Sequence, residues 1–157
     1  MKHISLLVST PQNKPLADAC TLIAESHHKK NGGPLQFEGL VYDSDILLSA
    51  MDGELVTGFL CFKTYPVFEN GLYVELIAVA KDCLRQKIGT FLLNRAVEYG
   101  KEHGYDCLYA NVRKNNTPSQ RLFRSAGFVP YDMPVEHCLA LGFSREEIRS
   151  NDGFRFR

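Results

Sequence analysis

The chain has no excess of charge of either sign, because 18 lysine and arginine side chains are balanced by 18 aspartate and glutamate side chains. Nucleic-acid-binding proteins attract phosphates with a strong positive field, which is absent here. The chain also lacks a run of about 18 apolar residues, the length that a membrane span needs. The apolar part of its N-terminus, MKHISLLVSTPQNK, is too short for a signal peptide. We therefore expect a cytoplasmic protein that binds neither nucleic acid nor membrane.

Paired cysteine motifs are absent as well. The five cysteines, at positions 20, 61, 83, 107 and 138, show no CxxC spacing and lie mostly within apolar runs. A free cysteine in such a run behaves as a small buried hydrophobe. His137 stands beside Cys138, but no companion ligands follow at zinc spacing. The pattern predicts a reducing compartment and no metal site.

What the chain does have is enough apolar sequence for one core. Its 157 residues are 45% hydrophobic and contain no repeat, which predicts a single domain over residues 1–157. In the N-terminal half the patterns predict a strand at 4–8, a helix at about 16–30 that ends at Gly32, Gly33 and Pro34, and a hairpin at 46–63. Asp52 and Gly53 supply the positive φ angles of the hairpin turn. Residues 37–42 are ambiguous.

The second half alternates strands and helices. A strand at 72–80 is apolar at nearly every position, which indicates burial on both faces. A helix follows from Ile88 to His103, then a strand at 107–114. Thr117 and Gln120 predict a capping box for a short helix that Gly127 closes. The tail predicts a helical turn and then a strand, which is either the last edge strand or a contact in a homodimer. The order of elements favours an α/β fold with a mixed sheet.

Two short segments of the sequence resemble motifs of a known protein family. The stretch VAKDCLRQKIGTFLL is similar to the R/Q-x-x-G-x-G/A loop of the GNAT superfamily, the acyl-CoA-dependent N-acyltransferases. Leu84 and Lys87 depart from that pattern, and Gly89 keeps it. The stretch NNTPSQRLFRSAGF resembles the family's N-x-x-A-x-x-L-Y-x-x-x-G-F segment. The resemblance implies the GNAT fold, with mostly antiparallel N-terminal strands and helices on both faces.

The resemblance also implies where acetyl-CoA binds. In the family, backbone N–H groups of the loop bind the pyrophosphate, and Arg85 and Lys87 can contact phosphate directly. Asn116 is expected at the pantetheine arm or at a substrate group. A structural role in the turn before α-helical residues explains an asparagine there equally well. The cofactor contacts that we predict are Ile77, Ala78, Val79, Arg85, Gln86, Lys87, Ile88, Gly89, Thr90, Asn116, Ser119 and Phe123.

Glu75 is the predicted catalytic residue. An alkyl ammonium has a pKa of about 10.4 and must lose a proton before it attacks, and the family often has a carboxylate on this strand that takes the proton through water. A structural ion pair is the alternative for a carboxylate within an apolar strand. The family's acid, a tyrosine, is replaced by Phe123. Tyr109, Tyr131 and Cys107 are conceivable substitutes, and each fits a packing role as well.

The function that follows is transfer of an acetyl group from acetyl-CoA to a primary amine of an unidentified small molecule or peptide. The amine attacks directly in a ternary complex, without a covalent enzyme intermediate. The departures at Leu84, Lys87 and Phe123 motivate an alternative, a non-catalytic acyl-CoA-binding or regulatory module of the same fold. An interaction protein without a cofactor is the third class, and it requires both resemblances to be accidental.

Overall fold

A computed structural model describes residues 3–27, 37–64 and 70–157, with the side chains of residues 37 and 38 left out of the description. The predicted helix end at residues 28–34 lies outside these ranges. Seven strands and six helices are described in these ranges. The strands are β1 (Ser5–Ser9), β2 (Ile46–Asp52), β3 (Leu55–Lys63), β4 (Gly71–Val79), β5 (Cys107–Arg113), β6 (Val129–Pro130) and β7 (Asn151–Phe156). The helices are α1 (Lys14–Ser26), α2 (Phe37–Tyr42), α3 (Ile88–Glu102), α4 (Thr117–Ser125), α5 (Val135–Ala140) and α6 (Arg145–Ser150).

The strands form one sheet in the order β1-β2-β3-β4-β5-β7-β6. Strands β1, β2 and β3 pair antiparallel, β4 pairs parallel with β5, and β7 pairs antiparallel with both β5 and β6. The predicted mixed α/β fold is therefore confirmed. Of the two alternatives for the tail, the edge strand is wrong, because the two-residue strand β6 covers the outer side of β7.

The residues group into two compact units. Unit 1 comprises residues 1–63 and 75–96, and unit 2 comprises residues 64–74 and 97–157. Strand β4 and helix α3 each contribute their two halves to different units. A single domain over residues 1–157 stays a prediction.

Unit 1 has a core between α1, α2 and strands β2 and β3. Its buried members include Ala17, Cys20, Val41, Leu47 and Phe59. Helix α1 begins where the Asn13 side chain accepts the N–H of Leu16, with Pro15 in the first turn. Such a cap satisfies an N–H group at the helix start, and proline has the φ angle that the first turn requires. Both fix the residue at which α1 begins.

The β2–β3 hairpin is confirmed, with a different turn. Asp52 pairs with Leu55, so the turn residues are Gly53 and Glu54. Only Gly53 has a positive φ, at 62°, which matches the first central position of a type II′ turn. The expectation that Asp52 shares this conformation is wrong, because Asp52 is the last paired residue of β2.

Strand β4 is buried only in its first half. Residues 71–74 are buried, whereas residues 75–79 are half-buried. The predicted burial along the whole strand is therefore wrong for its second half. All five cysteines are free and buried, as the apolar sequence around them predicts.

Candidate functional site

The loop between β4 and α3 holds two residues in the left-handed region. A turn of 3₁₀ helix at Lys81–Cys83 leads to an extended Leu84, and then φ is 65° at Arg85 and 61° at Lys87. Such angles cost an L-residue about 1–2 kcal/mol, whereas glycine adopts them freely. The family pattern has glycine where Lys87 stands. Lys87 adopts the backbone angle that glycine favours.

Helix α3 starts with open donors directly after this loop. The N–H of Phe91 donates to the carbonyl of Lys87 at 3.0 Å, so the N–H groups of Ile88, Gly89 and Thr90 precede the first bond within the helix. Lysine has no acceptor in its side chain, and Lys87 cannot cap them. The start of this 15-residue helix presents three N–H groups that precede its first internal bond, together with the positive end of its dipole, and both favour an anion.

The three side chains that precede these donors are exposed, and two of them are basic. Arg85, Gln86 and Lys87 are all exposed to solvent, while Ile88 is buried. The first residue of α3 therefore anchors the helix start, and the residues before it remain free to meet a ligand. The predicted cofactor residues of this loop thus lie together.

Gly58 of strand β3 lies directly against the start of α3. An added Cβ at Gly58 would lie 2.9 Å from Cγ2 of Ile88 and 3.1 Å from the carbonyl oxygen of Ala78. Only a glycine allows the start of α3 to approach the strand so closely. Our sequence reasoning missed Gly58, although a glycine inside a strand indicates a close backbone approach.

A β-bulge next to Gly58 holds the other end of the loop. Ala50 pairs with Gly58 and Met51 with Val56, so Thr57 is the extra residue. Its hydroxyl donates to the carbonyl of Ala50 at 2.8 Å. Its own carbonyl accepts the N–H of Ala80 at 2.8 Å. The bulge therefore fixes the residue at which the chain leaves β4.

The second half of β4 contains three of the predicted cofactor contacts. Ile77, Ala78 and Val79 are half-buried, and the Ala78 side chain packs against the core around α1. The ring Nε2 of His27, just after α1, is hydrogen-bonded to the carbonyl oxygen of Val79. His27 is a further residue that the sequence analysis missed, since no local pattern links positions 52 residues apart.

Glu75 lies on the same strand and is half-buried. Burial raises the pKa of the Cys61 thiol well above its ordinary value, and the negative charge of Glu75 raises it further. The carboxylate therefore lies within electrostatic reach of a buried thiol in the core of unit 1. Its predicted role as a base stays a prediction.

Unit 2 contains Asn116, Ser119 and Phe123. Asn116 is the N-cap of α4, and its side-chain oxygen accepts the N–H of Ser119 at 3.2 Å. The predicted capping box with Thr117 is therefore wrong, because Thr117 is already the first helical residue. The side chain of Gln120 instead donates to the carbonyl of Arg113 and to the carboxylate of Asp152, both at 3.2 Å.

The end of α4 explains the G-F part of the second sequence segment. Gly127 has a φ of 95°, its N–H donates to the carbonyl of Arg124, and the N–H of Phe128 donates to that of Phe123. This is a Schellman motif with its usual apolar contact, because the rings of Phe123 and Phe128 meet edge to face at 5.0 Å. Phe123 is buried with 3% exposure. Its predicted cofactor contact remains a prediction.

A cavity of about 570 Å³ opens in unit 2 beside β5 and β7. Asn111 lies in its wall, where the side-chain amide donates to the hydroxyl of Tyr73 at 3.2 Å and contacts the sulfur of Met133 at 3.7 Å. The sequence analysis did not find this cavity, because its wall combines residues that lie far apart in the chain.

Tyr109 was one conceivable replacement for the missing acid. Burial, together with a hydrogen bond to Cys107, raises the pKa of Tyr109 to about 12. A higher pKa makes a phenol a weaker proton donor at neutral pH.

Among the described residues, no three or more histidine, cysteine or acidic side chains are close enough to share a metal ion. None of the helices in the described ranges is both long and apolar enough to cross a membrane.

Comparison with known sequences decides the family. The sequence model of the Acetyltransferase (GNAT) family matches residues 17–128, a span that includes the β4–α3 loop and all of α4. The chain belongs to the GNAT acetyltransferase family. The two sequence segments that suggested a GNAT protein both lie inside the matched span.

Two curated relatives agree with this assignment. The chain is 30% identical over 96 residues to an N-alpha-acetyltransferase of Sulfurisphaera tokodaii, over 55% of this chain and 58% of that protein. It is 38% identical over 56 residues to GCN5-related N-acetyltransferase 6, chloroplastic, of Arabidopsis thaliana, over 36% of this chain and 19% of that protein. The matched parts thus span less than two thirds of the length of both relatives.

Solved structures of GNAT proteins share the fold. A GNAT-family protein from Desulfovibrio desulfuricans superposes with a TM-score of 0.75 at 15% identity, and the match covers 99% of both chains. An acetyltransferase of Bacillus subtilis, solved in complex with CoA, superposes with a TM-score of 0.66 at 16% identity over 98% of this chain and 96% of that one. At such low identity the likeness establishes the GNAT fold.

Proposed function

We propose that this GNAT protein transfers an acetyl group from acetyl-CoA to a primary amine of a small molecule or peptide. One observation carries the proposal, namely the open start of α3 behind a loop with two left-handed, basic residues. The N–H groups of Ile88, Gly89 and Thr90 bind the pyrophosphate of CoA. Arg85 and Lys87 add charge-assisted contacts. The CoA held by the Bacillus subtilis relative supports this choice of cosubstrate.

The remaining cofactor contacts that the resemblance implies are proposed as well. The backbone of Ile77, Ala78 and Val79 contacts the pantetheine arm, and Gln86 lies with the pyrophosphate group. In unit 2, Asn116, Ser119 and Phe123 are the proposed contacts. Because the oxygen of Asn116 caps α4, its amide N–H groups are the part that reaches a ligand.

Glu75 assists the chemical step. It accepts the proton of the ammonium through water, and the neutral amine attacks the carbonyl carbon of the thioester. The C–N bond forms, the C–S bond breaks, and CoA leaves as a thiolate. A thiol with a pKa of about 8.5 is a tolerable leaving group, so the phenylalanine at position 123 slows this step without blocking it.

The location and assembly of the enzyme are also proposals. Five free, buried thiols fit the reducing cytoplasm. We retain a homodimer through the C-terminal tail as a proposal from the sequence.

Calorimetric titration with acetyl-CoA and with pantetheine tests the cofactor site. Pantetheine lacks the pyrophosphate and the nucleotide, so we expect saturable binding of acetyl-CoA and no measurable binding of pantetheine at the same concentrations. Equal affinity for both ligands would show that the α3 start does not bind phosphate. Binding of neither would remove the proposed function.

Replacing Glu75 by glutamine tests the base. We expect amine-dependent release of CoA to fall at least about 100-fold at neutral pH, because general-base catalysis contributes about 10²–10⁴-fold, with unchanged affinity for acetyl-CoA. Glu54→Gln, in the hairpin turn of the same unit, is the matched control. Full turnover by the Glu75 variant would refute the assignment. Tight binding of acetyl-CoA without turnover of any amine by the wild type would instead indicate the non-catalytic module.

A further inference from the structure

The cavity in unit 2 carries charges of both signs around an apolar floor. Lys114 and Arg124 contribute two cations, and Asp132 and Asp152 contribute two carboxylates. The apolar side chains in the lining include Met133, Phe143 and Ile148, which together are called the floor. Met133 is buried and the other two are half-buried. A volume of about 570 Å³ lies within the range of sites that enclose a small molecule.

This cavity is joined to the start of α4. The carboxylate of Asp152, in the cavity wall, accepts a hydrogen bond from the side chain of Gln120 at 3.2 Å. Gln120 lies in the first turn of α4, whose cap Asn116 is a proposed cofactor contact. Lys114, also in the wall, precedes that cap by two residues, and its backbone N–H donates to the carbonyl of Ser150 at 2.9 Å.

The balance of charge excludes one class of acceptor and favours another. Polyamines and other polycationic amines require a pocket with an excess of carboxylates, and two cations in the wall oppose them. A ligand with one ammonium and one carboxylate finds a partner of opposite charge for each group. The apolar floor then suits a hydrocarbon side chain.

We propose that the cavity binds the acceptor, and that the acceptor is an amino acid or short peptide with a free carboxylate and an apolar side chain. This inference rests on the proposed acetyl transfer. Lys114 and Arg124 bind the carboxylate, and Asp132 pairs with the ammonium, whose proton leaves through water as in the proposed acetyl transfer. The amine nitrogen then forms the amide bond as the C–S bond of acetyl-CoA breaks and CoA leaves with the electron pair.

A binding experiment that needs no turnover tests the location. The chain has three methionines, and Met133 lines the cavity while Met51 lies in β2 of unit 1. In protein labelled with ¹³C at the methionine methyl groups and saturated with CoA, leucyl-glycine should shift the Met133 signal and leave the Met51 signal in place. Met133→Leu assigns the signal. A shift of neither signal at saturating peptide would overturn the proposal.

A kinetic comparison tests the class of acceptor. Leucyl-glycine and leucyl-glycinamide have nearly the same α-amine, and only the first has a carboxylate. We expect kcat/KM to be about tenfold or more higher for the free acid, as is typical for loss of a hydrogen bond to a charged group. Arg124→Gln and Lys114→Gln should each reduce that ratio, whereas Arg149→Gln, outside the cavity, should leave it unchanged.

The outcomes separate this inference from the proposed function. Equal kcat/KM for the acid and the amide, or faster turnover of spermidine than of either, would overturn the acceptor class while acetyl transfer stands. Loss of acetyl-CoA binding itself would instead remove the proposed function. Circular dichroism of each variant shows whether it is folded before its kinetics are compared.

Discussion

Lys87 provides a sharp test of the loop, because its backbone angle and its charge can be changed separately. Lys87→Gly removes both the ammonium and the cost of a positive φ, whereas Lys87→Ala removes the ammonium alone. The left-handed conformation costs an L-residue about 1–2 kcal/mol. Relative to alanine, glycine also lowers the stability by about 0.5–1 kcal/mol, because it makes the unfolded chain more flexible.

The free energy of unfolding should therefore rank the variants. We expect Lys87→Gly to be more stable than Lys87→Ala by about 0.5–1 kcal/mol, as the difference between those two contributions. Lys81 is the matched control. It lies in the 3₁₀ turn and has no positive φ, so there glycine should be less stable than alanine by about 0.5–1 kcal/mol.

Urea denaturation of the four variants, monitored by fluorescence or circular dichroism, gives these differences when the m-values agree. Calorimetry with acetyl-CoA then separates the charge from the backbone. Both Lys87 variants should bind acetyl-CoA several-fold more weakly, because both lose the ammonium. If Lys87→Gly were less stable than Lys87→Ala, the loop would not hold a left-handed residue at this position and our reasoning would fail.

Three further predictions follow from packing, capping and burial. Gly58→Ala should lower the free energy of unfolding by about 1–3 kcal/mol through overpacking against Ile88, and a stability within 0.5 kcal/mol of wild type by urea titration would contradict the close approach. Asn116→Ala should cost about 1 kcal/mol by the same titration while Asn116→Asp costs little, and equal losses would show that the side chain does not cap α4. Burial raises the pKa of Cys20 to about 12, so its thiol should stay unmodified by iodoacetamide at pH 8 in the folded protein; fast alkylation seen by mass spectrometry would contradict that burial.

The sequence predicted the parts of the site that depend on local patterns. The helix Ile88–His103 was correct to within one residue at its end, because its apolar stripe and Gly104 are local signals. The end of α4 at Gly127 was also found, since a positive φ favours glycine there. The GNAT family followed from two short segments whose spacing survives although Leu84 and Lys87 differ from the usual pattern.

The parts that the sequence missed depend on contacts between distant residues. Thr117 and Gln120 fit the pattern of a capping box, and Asn116 fits an N-cap equally well. The local sequence therefore does not decide between them. In the structure Asn116 caps α4, and the Gln120 side chain donates to Asp152, which is 32 residues away. The support of the loop by Gly58, and the hydrogen bond of His27 to Val79, join elements that only the folded chain brings together.

The cavity in unit 2 shows the same limit. Lys114, Asp132 and Asp152 appear in the sequence as ordinary surface charges. The pairing of β7 with both β5 and β6 brings them around one floor. The pairing of β6 with β7 could not be predicted from the sequence, because a strand of two residues shows no hydrophobic periodicity.

The most direct test of the central claim is an amide NMR titration of the protein with acetyl-CoA. If the start of α3 binds the pyrophosphate, the ¹⁵N–¹H signals of Ile88, Gly89 and Thr90 shift strongly and saturate together with the calorimetric binding curve. Pantetheine, which has no pyrophosphate, should leave these three signals in place. Binding of acetyl-CoA without a shift of these amides would contradict the account.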